Sequence, residues 1–160
     1  MPLNDDGDLI RALGYVALYA AYLEEAIDDV LLAVCSVNKD ADRKKLRWPV
    51  SRKIDFIHQS MEDWNNLSTE LSRFTNIIVM LSELLERRNF YIHGRIYADR
   101  KSGDILKPAR EGYPEIPAMS SDLYSLANDL FGARSLCQHT SEFAIPRYAN
   151  SQSQLPKETL

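Results

Sequence analysis

The sequence predicts an all-α fold, a helical bundle of about four helices with a small β-hairpin between the third and fourth helices. Two observations predict it. In two long segments the apolar side chains recur at alternating spacings of four and three residues, which is the pattern of a helix with one buried face. In addition, two short strand-like runs flank a turn after the third helix. A chain of 160 residues has room for one such domain with a real core.

The first two helices follow from the positions of their apolar residues. The stripe of the first helix consists of Leu9, Leu13, Val16, Ala20, Leu23, Ile27, Val30 and Val34. Asn4, Asp5 and Asp6 precede this stripe and offer caps and favourable negative charge to the first turn. Pro49 suits the N-terminus of a second helix. The buried face of that helix is predicted to contain Ile54, Ile57, Met61 and Trp64.

The third helix repeats the spacing of the first, with one exception. Its stripe consists of Leu67, Leu71, Phe74, Ile78, Leu81, Leu85, Arg88 and Ile92. Arg88 therefore occupies a position where the other members of the stripe are apolar. Gly94 is expected to end this helix, as glycines at the C′ position commonly do.

A hairpin and a last helix come next. A β-hairpin or structured loop is predicted for Arg95–Pro108, with its turn between Asp99 and Gly103. The last helix is expected to start near Ser120 or Ser121. Its buried side is marked less regularly, by Leu123, Leu126, Leu130, Leu136 and Phe143.

The C-terminal end is predicted to leave the bundle. Pro146 is expected to stop the last helix, because proline lacks a backbone N–H and does not fit a helix interior. The residues after it are polar enough to form a mobile tail. The predicted organisation is therefore one helical domain over residues 1–146 and a tail over 147–160.

Composition excludes several functional classes. A net charge of −4 implies no broad basic face for duplex DNA, although Arg43, Lys44, Lys45 and Arg47 form a local cluster that permits contact with a few phosphates. No segment is apolar over the roughly 18 residues that a membrane span needs, and the acidic N-terminus argues against a signal peptide. No metal-ligand spacing and no glycine-rich phosphate loop are present, so we expect neither a metal nor another cofactor.

Two cysteines indicate the compartment. Cys35 and Cys137 lie far apart in the sequence, without CxxC spacing. We expect them to be buried thiols in a reducing environment, because disulfides persist mainly in oxidising compartments. The predicted localisation is therefore cytoplasmic.

The candidate site is the end of the third helix, Arg88-Asn89-Phe90-Tyr91-Ile92-His93-Gly94. An arginine on an apolar stripe needs an explanation, because burying an unpaired charge is expensive. One explanation is a structural salt bridge to Glu24 or Glu25 of the first helix. Asn89 and His93 are four residues apart, so they share a helical face, and Asn89 can orient the imidazole ring. His93 lies in the last turn, at a position that suits a general acid or base.

The geometry of one helix separates the two charged groups of this segment. Arg88 and His93 are five residues apart, so about 140° and roughly 7.5 Å of rise separate them on an ideal helix. A single helix cannot easily aim both at one small group. Two copies packed antiparallel about a twofold axis could do so, and we therefore expect a homodimer. The same stripes would serve a monomeric core equally well.

These residues resemble the signature of the HEPN superfamily. Its motif is an arginine, usually followed by a polar residue, then a histidine after four to six intervening positions; here four residues lie between Arg88 and His93. A long first helix with a Leu-Glu-Glu step and a hairpin after His-Gly also fit. The similarity of layout extends over Leu9 to Phe143, whereas the specific match covers about seven residues. The resemblance identifies residues 1–146 as an HEPN-like domain.

The resemblance implies a metal-independent endoribonuclease that works as a homodimer, and many members are toxins of toxin–antitoxin pairs or phage-defence effectors. His93 would assist attack of a ribose 2′-hydroxyl on the adjacent phosphate. Arg88 would stabilise the charge that develops there, and Asn89 would position His93 or the substrate. An antitoxin or a nucleotidyltransferase is the partner that such a protein would have, besides its RNA substrate.

Further residues are assigned supporting roles. Tyr91, Arg87 and Arg95 are candidates for holding RNA. Glu24 borders the stripe of the first helix and is the candidate to pair with Arg88.

Two other interpretations remain open. The chain could be a non-catalytic, dimeric binding or regulatory module of the same fold, in which Arg88 and His93 make structural bonds at the interface. It could also be a helical bundle of an unrelated family, in which Arg88 merely pairs with an acid.

Overall fold

A computed structural model of the chain describes residues 3–40, 42–99, 103–109 and 112–153. Within these ranges the protein is mostly helical and contains a small antiparallel sheet of three strands. The helices are α1 (Leu9–Val37), α2 (Val50–Glu62), α3 (Thr69–Ile78), α4 (Met80–Ile92), α5 (Ser120–His139) and α6 (Ile145–Ser153). A 3₁₀ helix, Arg43–Arg47, precedes α2, and a π-helical turn, Thr140–Ala144, joins α5 to α6. The strands are β1 (Arg95–Asp99), β2 (Gly103–Lys107) and β3 (Ile116–Pro117). None of the described helices has the length and apolarity needed to cross a membrane.

The described residues fall into two compact units. Unit 1 combines those of Met1–Leu23 with those of Ser82–Ala133, and unit 2 combines those of Glu24–Leu81 with those of Arg134–Leu160. Unit 1 contains the sheet, whereas unit 2 contains α2, α3 and α6. Buried apolar residues lie in both units.

Most members of the two predicted apolar stripes are buried, whereas Leu9, Leu13, Leu67 and Ile92 are half-buried, and Leu67 precedes α3. In α1 the members that are at most 2% exposed are Val16, Ala20, Leu23, Ile27, Val30 and Val34. In α3 and α4 those that are at most 3% exposed are Leu71, Phe74, Ile78, Leu81 and Leu85. The third helix, predicted to be continuous, is divided at Val79, but this residue keeps helical angles of φ −63° and ψ −29°. Only the regular backbone hydrogen bonding of the helix is interrupted at Val79, so the apolar stripe continues from α3 into α4.

The helix starts differ in detail from the prediction. Asp8, rather than Asn4 or the two following aspartates, caps α1: its Oδ1 accepts a hydrogen bond of 2.9 Å from the backbone N–H of Arg11. Asp5 and Asp6 accept from the backbone of Gly7 and Asp8 and so form the turn before the helix. α2 begins directly after its cap residue, Pro49, as predicted.

Two aromatic residues from the predicted buried faces lie elsewhere. Trp64 lies beyond the end of α2, where its ring stacks on that of Tyr148 with 4.8 Å between centroids. The side chain of Phe143, predicted to be buried, is 48% exposed. Its neighbours Ala144 and Ile145 are buried instead, because the π-helical turn adds a residue and rotates all later positions around the helix axis.

The same turn explains why Pro146 does not stop the helix, contrary to the prediction. The backbone N–H of Ile145 donates to the carbonyl of Thr140, five residues earlier. Pro146 is then the second residue of α6, in a first turn where a missing N–H leaves no intrahelical bond unmade. The first residues of the predicted tail, 147–153, are therefore helical, while residues 154–160 lie outside the described part. The domain boundary itself stays a prediction.

The segment predicted as a hairpin or structured loop forms two antiparallel strands. β1 pairs with β2 in a register that places Arg95 opposite Lys107 and Asp99 opposite Gly103. The residues between them, 100–102, lie outside the described part. The sequence did not predict β3, which consists of two residues and includes Pro117, a poor strand former.

The two cysteines are free and buried, as predicted. Both belong to unit 2. Burial raises the pKa of the Cys137 thiol to about 12, so this side chain is a small apolar core residue at neutral pH.

Two phenylalanines of unit 2, Phe74 and Phe143, allow a matched test of the stripe and of the π-helical turn. Phe74→Ala should lower the free energy of unfolding by about 3–5 kcal/mol, because it empties a fully buried site. Phe143→Ala should change it by about 0.5 kcal/mol or less, because that ring is half exposed. Urea unfolding followed by circular dichroism measures both values. Equal losses for the two variants would contradict the described burial.

Candidate functional site

α4 ends within the segment that the sequence singles out. The backbone N–H of His93 donates to the carbonyl of Asn89 at 3.1 Å, and that of Gly94 donates to Tyr91 at 3.3 Å. The last turn is thus closed and tightened, and β1 begins at the next residue, Arg95. The reversal places the side chains of the last turn beside the start of the sheet.

Gly94 ends the helix as predicted, but not by adopting a left-handed conformation. It is not among the described glycines with positive φ, which are Gly7, Gly103 and Gly112. A Cβ at Gly94 would lie 2.7 Å from Leu106 Cδ1, 3.0 Å from the carbonyl oxygen of Phe90 and 3.1 Å from that of Lys107. The residue is glycine because β2 passes too close to the end of α4 for any side chain.

A pocket of about 540 Å³ opens beside this reversal, within unit 1. The described residues that line it are Glu86, Arg87, Asn89, Phe90, Tyr91, His93, Pro108, Ala109 and Tyr113. The first six lie on the last two turns of α4 and just after it, and the others lie beyond β2. The volume is in the range typical of small-molecule sites.

Four of the predicted site residues meet at this pocket. They are Arg87, Asn89, Tyr91 and His93. Arg88 and Arg95, although described, are not among the lining residues. Arg88 is half-buried and its Nε atom is buried, as expected for a member of the apolar stripe. Arg95 is exposed at the start of β1.

Glu24 is half-buried in α1 and belongs to unit 2, whereas Arg88 belongs to unit 1. Its predicted pairing with Arg88 stays a prediction.

Three polar side chains at the pocket are available for a ligand. Among the described residues, the side chains of Glu86, Asn89 and His93 have no hydrogen-bond or ion-pair partner. Together they offer a carboxylate, an amide and an imidazole, which can accept or donate hydrogen bonds in several combinations. A few polar groups that converge on a mainly apolar pocket are the usual means of orienting a ligand.

Arg87 brings a positive charge to the pocket. Its Nη1 lies 3.2 Å from Asp129 Oδ2 of α5, and the two side chains are 50% and 47% exposed. An ion pair this exposed contributes about 1 kcal/mol or less. An anionic group that enters the pocket can therefore compete with Asp129 for this guanidinium.

Aromatic rings form the apolar part of the wall. The ring centroid of Phe90 lies 5.5 Å from that of Tyr91 and 6.1 Å from that of Tyr113, both edge to face. Burial, followed by the negative charge of Asp122, raises the pKa of the Tyr91 phenol. The phenol therefore keeps its proton at neutral pH and can donate a hydrogen bond.

The loop that carries Tyr113 is held against the sheet. Glu115 accepts a hydrogen bond of 2.6 Å from the Tyr97 hydroxyl and lies 3.7 Å from the Lys107 ammonium. The N–H of Ala118 then donates to the carbonyl of Asp104 at 2.8 Å. These contacts position one wall of the pocket from β1 and β2.

Some lining residues were not predicted. Glu86 could have been found, because it lies three residues before Asn89 and seven before His93 and so shares their helical face. Pro108, Ala109 and Tyr113 carry no such signal, because their position depends on the path of the chain after β2.

No family model, curated protein or solved structure matches this chain. The resemblance to the HEPN superfamily therefore rests on the residues at the end of α4, and it stays a prediction. The described residues contain no group of three or more His, Cys, Asp or Glu side chains placed to hold a metal ion.

Two glycines of unit 1 test the close approach at the pocket. Gly94→Ala should lower the free energy of unfolding by about 1–3 kcal/mol, because the added methyl group meets backbone oxygens that cannot move aside easily. Gly132→Ala, at a helical position with nothing within 4 Å of the added atom, should instead stabilise the protein by about 0.5–1 kcal/mol. Thermal unfolding distinguishes the two. A stabilising Gly94→Ala would show that β2 does not pack there as described.

Proposed function

We propose that this protein is a metal-independent endoribonuclease of the HEPN type, a helical bundle that works as a homodimer. The observation that carries the proposal is the pocket at the end of α4. There His93, Asn89 and Arg87 face one concave space of about 540 Å³. The imidazole supplies the proton carrier that cleavage of a ribose phosphodiester needs, and the guanidinium of Arg87 supplies a cation that can hold the phosphate.

The chemistry proceeds through the ribose 2′-hydroxyl. His93 takes the proton of that hydroxyl, and its oxygen attacks the adjacent phosphorus. The bond from phosphorus to the 5′-oxygen breaks, the leaving oxygen takes up a proton from water, and the His93 imidazolium returns its proton to water. The products are a 2′,3′-cyclic phosphate and a 5′-hydroxyl. Asn89, one helical turn before His93, orients the imidazole or the substrate.

Arg88 acts at a site completed by a second copy of the chain. Arg88 lies on the apolar stripe and His93 at the pocket, as their separation of about 140° on one helix requires. In an antiparallel pair, the Arg88 of one copy approaches the His93 of the other and stabilises the charge that develops on the phosphate.

Other lining residues bind the RNA on either side of the reacting phosphate. Arg87 can exchange its exposed contact with Asp129 for a phosphate. Tyr91 keeps its proton and offers a ring face for a base. Arg95, exposed at the start of β1 just after His93, binds the continuing strand.

A specific observation favours a second function, that of a non-catalytic dimeric module. The buried Nε atom and the half-buried side chain of Arg88 are typical of an arginine that stabilises packing. In that case Arg88 and His93 hold an interface, and the pocket binds a regulatory ligand. We propose an antitoxin or nucleotidyltransferase partner only if the protein is a ribonuclease, and not if it is the binding module.

Loss of the imidazole tests the enzymatic proposal. In EDTA, purified wild-type protein should cleave single-stranded RNA, and His93→Ala should lower the rate by about 10²–10⁴-fold, the usual effect of losing a general acid or base. His58→Ala, a substitution of a half-buried histidine in unit 2, should leave the rate unchanged. Equal residual RNA with wild type and His93→Ala would refute the enzyme. A lowered melting temperature or a lost dimer in His93→Ala, without RNA cleavage by wild type, would favour the binding module.

Mixing two inactive variants tests the shared site. Arg88→Ala and His93→Ala should each be inactive alone, yet an equimolar mixture should regain about a quarter of wild-type activity. About half of the dimers are then mixed, and each has one of its two sites intact. An unfolding and refolding step before the assay ensures exchange of subunits. If the mixture stays inactive while native mass spectrometry shows mixed dimers, the two residues do not act across a dimer.

A further inference from the structure

Unit 2 carries a cluster of cations that the proposed active site does not use. We call Arg43, Lys44, Arg47 and Arg52 the basic patch. All four side chains are exposed, and none has an ion-pair partner among the described residues. Such a concentration of positive charge is unexpected on a protein whose net charge is −4. It indicates a surface that meets an anionic partner.

The backbone under the basic patch is held by the acids of the same loop. Asp42 caps the 3₁₀ helix by accepting a hydrogen bond of 3.0 Å from the backbone N–H of Lys44. Asp40 lies 2.6 Å from the ammonium of Lys45, a side chain that is only 11% exposed. The hydrogen bond between them raises the pKa of Lys45 and lowers that of Asp40. Lys45 thus belongs to the support of the loop, while the patch residues point outwards.

An aromatic ring positions the fourth member of the patch. The guanidinium carbon of Arg52 lies 4.1 Å from the centroid of the Trp48 ring, and Phe56 packs edge-on against that ring at 5.8 Å. Stacking holds the face of the guanidinium while its N–H groups at the edge remain available to an anion. Arg52 is therefore oriented before any partner arrives.

We propose that the basic patch binds the phosphate backbone of single-stranded RNA, so that the protein holds its substrate on unit 2 as well as at the pocket of unit 1. The choice of RNA rests on the proposed function. A run of exposed cations that can follow a sugar–phosphate backbone is also the electrostatic feature that binds single strands without sequence preference. A membrane surface fits less well, because no large apolar side chain is exposed between Asp42 and Phe56, and peripheral membrane binding uses such side chains.

Charge reversal with a matched control tests the proposal. The background is His93→Ala, which prevents cleavage, and the probe is a fluorescein-labelled oligouridylate. R43E/R47E should weaken binding at least tenfold and reduce the slope of log Kd against log salt by about 1.4, since each lost phosphate contact on a single strand removes about 0.7. R73E/R147E, an equal charge change at two exposed positions of unit 2, should leave the slope unchanged.

Each alternative result is decisive. Equal losses in the two double variants would show that net charge alone matters, and would overturn the patch. Binding to phosphatidylserine vesicles without binding to the RNA would also overturn it. R43Q/R47Q, which removes charge without reversing it, replaces R43E/R47E if circular dichroism shows the latter unfolded. RNA binding that depends on the patch, with no cleavage by wild type, would keep this inference and refute the proposed ribonuclease.

Discussion

The approach of β2 to the end of α4 is the constraint on which the candidate site depends. Two backbone oxygens and the Leu106 side chain leave no space for a Cβ at Gly94. Because the strand passes so closely, the chain after β2 returns beside the last turn of the helix and brings Pro108 and Tyr113 to the wall of the pocket. His93 and Asn89 would otherwise lie on an open helix end, without the enclosure that ligand binding requires.

Periodicity predicted the helices well because it reports a strong and local physical requirement. Alternating spacings of four and three residues define two apolar stripes, one in α1 and one that runs through α3 and α4. Most members of both stripes are buried. The prediction was wrong where the backbone departs from the regular α-helix. Nothing in the spacing of Phe143 and Pro146 signals the π-helical turn, which lets a proline enter a helix and turns a phenylalanine outwards. Rare hydrogen-bond patterns depend on tertiary packing rather than on local preference.

The candidate site was predictable only along a single helix. The shared face of Asn89 and His93 follows from their spacing, and both line the pocket. The same spacing places Arg88 and His93 on different faces of the helix, and among the described residues Arg87 rather than Arg88 lines the pocket. The pocket residues that follow β2 could not be predicted, because their position depends on the path of the chain in three dimensions. Gly94 shows the same limit: its position at the helix end was correct, but its cause is a neighbouring strand.

The π-helical turn also determines how α6 tolerates changes in chain length. Tyr148 stacks on Trp64, and its hydroxyl donates to the carbonyl of Asn65 at 3.1 Å. Both contacts require Tyr148 to project from one particular face of α6, and the π-helical turn determines which face that is. Deleting one residue from Thr140–Ala144 would rotate every later side chain by about 100° and carry Tyr148 away from its partners. This segment is therefore expected to accept substitutions more readily than insertions or deletions, and to keep its length in related sequences.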